Sequence, residues 1–435
     1  MNIKTVTVIG ANGTMGCNIS GIFASFGNCK VYMIGRNKID VEKSVKKAVM
    51  SVKGDAILNK LFPKDYSELE KCIKESDLIF ESTAENLQVK KEINEIIAKN
   101  VEPGQIICTG TSGLSINVLS DCFEDDIKKY YLGIHFFNPP YNMTLCEIIP
   151  AKYTNCNVVK EIREYMEETL IRTTVEVKDT PAFLGNRIGF QFINEAIEYA
   201  ERYKDNGGID YIDAILGQFT GRSMPPIATA DFVGLDVHKA IVDNIYENTS
   251  DYAKETFILP QYVENLIERG NLGRKTGKGL YYNVKGKNGE RKRYVYDILT
   301  GQYRESYAYS FPFAENMITE LQNGNYRAAI EKLINNKSLE AEICVDFLLK
   351  YVIYALVATN EVGESITDAD DVMATGFNWI PPLAVIDALG GKDQFVNLCK
   401  NHFEKNFLHK TNLEKIVKGV RSSEYDYRKY LKARY

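Results

Sequence analysis

Val6-Thr7-Val8-Ile9-Gly10-Ala11-Asn12-Gly13-Thr14-Met15-Gly16 is the stretch that decides the fold. Val6 to Ile9 is an apolar run of strand length, and the glycines behind it open a helical pattern. Glycine at a strand-to-helix turn permits a tight bend and close backbone approach to a pyrophosphate. The helix N-terminus then meets that anion with free N–H groups and a positive dipole. Gly10, Gly13, Met15 and Gly16 are therefore candidate cofactor-binding positions. The alternative is a plain turn with no ligand. The spacing is GxxGxxG, one residue longer in its first half than GxGxxG, so the individual phosphate contacts stay open.

Beyond this loop, Lys30 to Ile34, Asp77 to Phe80, Gln105 to Thr109 and Tyr131 to His135 read as further strands. Ser20 to Phe26 and Asn86 to Ala98 read as helices between them. Strand alternating with helix implies a parallel sheet covered on both faces. Residues 1–180 thus read as an α/β Rossmann-type dinucleotide-binding domain. At the end of the second strand, where a carboxylate usually takes the ribose 2′-hydroxyl, stands Ile34-Gly35-Arg36-Asn37. A missing carboxylate and an adjacent guanidinium favour a 2′-phosphate, hence NADP. Arg36 stacked on adenine, or turned to solvent, is the competing reading.

The chain has 435 residues, enough for two or three domains, with 45% apolar and 26% charged residues and a net charge of −5. These balances exclude disordered, collagen-like and coiled-coil classes. The mild acidity argues against a nucleic-acid surface. No run of eighteen apolar residues occurs, so no membrane span is expected. The N-terminus enters a strand-like run without the apolar stretch of a signal peptide. Nine cysteines without a CxxC pair read as cytosolic thiols, and four histidines give no zinc spacing. A cytoplasmic protein without a metal is expected.

After Val175 long helical patterns take over, as in Asn186 to Tyr203. Residues 181–290 read as a helical domain, and 291–329 as a connector, whose neighbourhood Lys285 to Tyr307 lacks a helical period and reads as a connector or small hairpin. Residues 330–435 read as a second, degenerate copy of the helical segment. Pro225-Pro226, Asp231 and Gly234 match Pro381-Pro382, Asp387 and Gly390 at one offset of 156, and Asp210 with Asp213 matches Asp368 with Asp371 at 158.

The segment Gly133-Ile134-His135-Phe136-Phe137-Asn138-Pro139-Pro140, followed by Cys146-Glu147-Ile148-Ile149-Pro150, carries the chemistry. His135 lies at the carboxyl edge of a predicted strand, where open parallel sheets bind ligands. Histidine titrates near neutrality and can take a hydroxyl proton and return it. Glu147, twelve residues on, is placed to return on a neighbouring strand and hold the imidazole. A structural histidine at a strand end is the alternative.

Together these segments resemble the 3-hydroxyacyl-CoA dehydrogenase family over most of the chain. The matching stretches are Gly10 to Gly16, Glu81 to Lys90 (ESTAENLQVK), Thr111 to Ile116 (TSGLSI), His135 to Pro139 (HFFNP), Glu147, Pro181 to Arg187 (PAFLGNR) and Gly273 to Tyr281 (GRKTGKGLY). The resemblance implies a Rossmann-type domain followed by an all-α, 6-phosphogluconate-dehydrogenase-like helical domain, with the active site between them. By resemblance His135 is the catalytic base and Glu147 its partner. Ser112 and Asn186 hydrogen-bond the substrate oxygen and thioester, while Glu85, Lys90, Asn138 and Lys275 contact the nicotinamide cofactor. NAD is the family default, against the NADP reading of Arg36.

The chain departs from the family pattern in two places. Gly110 stands where asparagine is usual and is expected to loosen the loop before Ser112. The region from Asn37 to Asp77 is shorter than the family's coenzyme A-holding arm. Lys43, Lys46 and Lys47 share a helical face there, able to meet the coenzyme's phosphates or simply to face solvent. The implied activity is reversible hydride transfer between (S)-3-hydroxyacyl-CoA and NAD(P), giving 3-ketoacyl-CoA, as in fatty acid β-oxidation. A dehydrogenase of a free or otherwise carried 3-hydroxy acid and a non-catalytic nucleotide-binding protein are the alternatives. With acyl-CoA as substrate, an enoyl-CoA hydratase and a thiolase would be separate proteins. A covering second helical copy would make the chain a monomer with an internal pseudo-dimer.

Overall fold

β1 (Thr5–Ile9) is the third strand of an eight-stranded sheet in the computed structural model, which describes residues 2–285 and 290–435. The other strands are β2 (Lys30–Gly35), β3 (Leu61–Asp65), β4 (Leu78–Glu81), β5 (Ile106–Thr109), β6 (Tyr131–Phe136), β7 (Leu145–Pro150) and β8 (Thr173–Glu176). Their order is β3-β2-β1-β4-β5-β6-β7-β8. β4, β5 and β6 are buried along their whole length, which is why their sequences are unbroken apolar runs. The strand order reverses between β1 and β4, so a crevice opens at the carboxyl ends of these two strands.

Two expectations change here. The sheet is parallel throughout except for β6 and β7, which pair antiparallel with His135 opposite Glu147. The link between them is too short for a crossover, which needs a dozen or more residues, so the chain can return only as a hairpin. The helix after β1 begins at Thr14 rather than Ser20 and ends at Ser25. Its first turn, Thr14-Met15-Gly16, carries too little apolar periodicity to be seen in sequence.

The first compact unit reaches Phe183 and takes in Val362–Glu364 and Thr375–Phe377; the rest, from Leu184 to Tyr435, is a second unit. The second unit is built on the almost wholly buried helix Gly185–Arg202 and on the long helix Leu339–Val362. The expected connector is structured. β9 (Tyr281–Lys285), β10 (Arg291–Asp297) and β11 (Gln302–Glu305) form an antiparallel sheet, and the helices Pro312–Gln322 and Tyr326–Ile334 follow. Its tyrosines carry the packing: Tyr282 stacks on Tyr294 with centroids 4.9 Å apart, and Tyr296 meets Tyr303 at 5.5 Å. Residues 286–289, within the expected connector or hairpin, lie outside the described residues, as does Met1. Among the described residues no helix is long and apolar enough to cross a membrane.

Candidate active site

Gly10 adopts φ +86°, and its N–H donates to the Ile34 carbonyl at 2.9 Å. A Cβ at Gly10 would lie 2.3 Å from the Ser82 carbonyl oxygen, and one at Gly16 would lie 2.5 Å from that of Gly10. Only glycine fits either place. Gly13 precedes the helix in extended conformation and gives it no side-chain cap, so the first-turn N–H groups face an anion site. This cradle fits a dinucleotide pyrophosphate.

A cavity of about 610 Å³ opens over the loop and brings together Gly10, Gly13, Met15, Arg36, Glu85, Ser112 and His135. Tyr66, which the sequence did not suggest, lines it as well. Pairing of β3 with β2 carries Tyr66 toward the side of the sheet where Arg36 leaves β2. Burial holds the Tyr66 phenol above its usual range; Glu81 adds to the shift and Arg36 opposes it. Arg36 itself is exposed.

The β6–β7 register brings His135 Nδ1 to 2.7 Å from Glu147 Oε2. Glu147 is fully buried and His135 nearly so. A carboxylate on Nδ1 fixes the tautomer by geometry and leaves Nε2 as the ring's acceptor. Phe137 and Phe183 pack on the imidazole at centroid distances of 4.5 and 5.7 Å.

Ser112 is held by Glu85, whose Oε1 accepts from the Ser112 N–H at 2.8 Å and from Thr111 Oγ1 at 2.6 Å. The loop behind it hangs on Asp179, which sequence reasoning missed. Asp179 accepts from Ser115 Oγ (2.8 Å), Ile116 N–H (2.9 Å), Asn117 N–H (2.9 Å) and Asn117 Nδ2 (2.7 Å). No local signal links residues more than sixty positions apart. Hydrogen bonds to a charged group contribute about 1.5–3 kcal/mol each and are not additive. Asp179→Ala is expected to destabilise the first unit by about 3 kcal/mol, read as a lower urea midpoint. An unchanged midpoint would remove Asp179 from the loop's support.

The structure corrects one expectation, at Gly110, and shows what holds Lys90. Gly110 does not loosen its loop: its N–H donates to the Glu81 carbonyl at 2.7 Å, and its own carbonyl accepts from Lys90 Nζ at 2.8 Å. A Cβ there would crowd the Phe80 ring at 3.0 Å. Lys90, expected at the cofactor, is fully buried and does not line the cavity. Its Nζ lies 3.1 and 2.9 Å from the two carboxylate oxygens of Glu81, which also accept from Thr83 N–H (2.7 Å) and Thr109 Oγ1 (2.6 Å). A buried ammonium must be paired, and this one pairs with protein.

Asn138 is exposed just beyond β6. Lys43 is exposed and pairs with Asp40 at 2.8 Å. Lys47 lines a smaller depression of about 370 Å³ beside Gly13. Asn186, buried in the first turn of its helix, and Lys275, paired with Asp236, belong to the second unit.

A family model described as the NAD binding domain of 3-hydroxyacyl-CoA dehydrogenase matches residues 5–180, and one described as the C-terminal domain matches residues 183–283. The chain is 31% identical over 322 residues to a probable 3-hydroxyacyl-CoA dehydrogenase of Bacillus subtilis, covering 74% of this chain but only 40% of that one. It is 31% identical over 297 residues to a protein of the same description from Deinococcus radiodurans, covering 66% of this chain and 84% of that one. In structure it resembles the 3-hydroxybutyryl-CoA dehydrogenase of Escherichia coli K12 with a TM-score of 0.69 at 21% identity, over 96% of each chain. That last likeness extends the shared fold through the helices after residue 283. With both family domains matched in order, the chain belongs to the 3-hydroxyacyl-CoA dehydrogenase family of NAD-dependent oxidoreductases.

Proposed function

We propose that the chain interconverts (S)-3-hydroxyacyl-CoA and 3-ketoacyl-CoA in fatty acid metabolism. The observation that carries this reading is His135, held from behind by the buried Glu147, lining the same cavity as the glycine loop. When bound, the nicotinamide dinucleotide supplies the acceptor for the hydride from C3. His135 Nε2 takes the hydroxyl proton as that hydride leaves, and Glu147 stabilises the imidazolium. In reduction the histidinium returns the proton. Ser112, steadied by Glu85, holds the substrate oxygen, and Asn186 is assigned to the thioester. Phe137 and Phe183 keep water from the imidazole. Turnover of acetoacetyl-CoA with loss of nicotinamide absorbance tests the reading. Consumption of free acetoacetate instead would favour another hydroxy-acid carrier, and no turnover by folded protein would favour a nucleotide-binding role.

For the cofactor, NADP use rests on Arg36, exposed at the end of β2 beside Tyr66. Arg36→Ala is expected to raise KM for NADPH about tenfold, the equivalent of ~1.4 kcal/mol, with little change for NADH. An equal loss with both cofactors would put Arg36 on the adenine, and turnover with NADH alone would remove its 2′-phosphate role.

The tail is assigned as a second copy of the helical segment, supported by repeated contacts within the second unit. Asp213 accepts from the Ile227 N–H at 2.8 Å, and Asp370 accepts from the Leu383 N–H at 2.8 Å, each just inside a helix that starts with proline. Asp231 accepts from Leu280 N–H at 2.6 Å and Asp387 from Ser423 N–H at 2.8 Å. The cap of the second copy is thus Asp370, where the 158 offset pairs Asp213 with Asp371. On this reading the chain is a monomer with an internal pseudo-dimer, and a dimeric mass in light scattering would refute it. Lys43 and Lys47 are assigned to coenzyme A phosphates, hydratase and thiolase steps to other proteins, and residence to the cytoplasm, in keeping with nine free cysteines.

A further inference from the structure

The second unit contains a cavity of its own, about 610 Å³, at the edge where β9 and β10 pair. That is within the size range of small-ligand sites. Its rim carries two guanidinium groups, Arg274 and Arg293, and neither forms an ion pair among the described residues. Each, though exposed, lies over an aromatic ring: Arg293 is 3.7 Å from the Tyr281 ring centroid and Arg274 is 5.1 Å from that of Phe232. Lys278 adds positive charge from behind Tyr282, 5.4 Å from its ring.

The remaining walls are flat and apolar. Phe232, against which Arg274 lies, is still 46% exposed, and Met224 is on the same lining. The one carboxylate on the lining, Asp231, is turned to the backbone, where it accepts from Leu280 N–H, and burial pushes it up to about 6. At neutral pH it is largely ionised, and Arg293 is the cation that offsets it, so an anion here must compete with Asp231 for that guanidinium. Guanidinium forks select phosphate oxygens, and arginine planes with an exposed aromatic face accept a stacked base.

We propose that this cavity binds a nucleoside diphosphate, with the phosphates on Arg274 and Arg293 and the base against Phe232. The site lies wholly in the second unit and is independent of the dehydrogenase reading.

The test is calorimetric titration of the full chain with ADP at low salt, after one equivalent of NADH has been added to fill the first cavity. One ADP is expected to bind per chain. Arg293→Ala and Phe232→Ala should each weaken it at least tenfold, and Arg293→Lys should fall between, while NADH affinity stays unchanged. Circular dichroism verifies that the variants are folded. No ADP binding, or binding indifferent to both alanine variants, would overturn the site. Inorganic pyrophosphate binding as tightly as ADP would overturn the assignment to a nucleoside.

Discussion

Replacing His135 by glutamine is expected to lower kcat by about 10²–10⁴-fold, the usual contribution of a positioned acid–base group. NADH affinity should stay unchanged, because the glycine loop and the open N–H groups of the first helical turn do not depend on the imidazole. Glutamine keeps most of the volume packed against Phe137 and Phe183 and so leaves the cavity wall in place. Its amide cannot accept a proton at neutral pH. Glu147→Gln acts one bond further back. With the carboxylate gone, the ring loses the partner that fixes its tautomer and stabilises its charged form, and a loss approaching that of His135→Gln is expected. Stopped-flow hydride transfer with acetoacetyl-CoA, beside fluorescence titration of NADH, separates chemistry from binding. A His135→Gln enzyme with full turnover would remove the histidine from the mechanism.

Lys90→Met is expected to destabilise the first unit by about 3–5 kcal/mol, the cost of removing one partner from a buried ion pair. The change strands the Glu81 carboxylate with hydroxyl and N–H donors but no counter-charge, and it frees the Gly110 carbonyl. Part of the loss should return in the double variant Lys90→Met with Glu81→Gln, which has no charge to strand. Chemical denaturation of the four proteins closes this cycle. If Lys90 touched the cofactor instead, the single variant would raise KM for NADH and leave the midpoint where it was.

Lys90 also marks the limit of what the chain's letters reveal. The strands β1, β2, β4, β5 and β6 announce themselves as apolar runs, and the glycine loop announces its own turn. The His135–Glu147 pair is legible because a short return places both on adjacent strands. Lys90 is expected at the cofactor by resemblance alone, and no residue near it in sequence announces the buried Glu81 carboxylate with which it pairs. Asp179 and Tyr66 act on residues brought near by strand pairing far along the chain, so their neighbours in sequence carry no trace of it. The β9–β11 sheet is legible only as a connector or small hairpin, because tyrosines and charged residues stand there in place of an aliphatic run.

The antiparallel register of β6 and β7 constrains how this protein can vary. A slip of one residue would set Cys146 or Ile148 across from His135 and turn the glutamate to the other side of the sheet. Within residues 137–144 between the strands, Phe137 packs on the His135 ring and the Tyr141 hydroxyl donates to the Asn18 carbonyl at 2.9 Å, so packing constrains this loop where register does not. Changes within the loop must keep those contacts as well as the alignment of the two strands. Only variation that spares both leaves the His135–Glu147 pair in place.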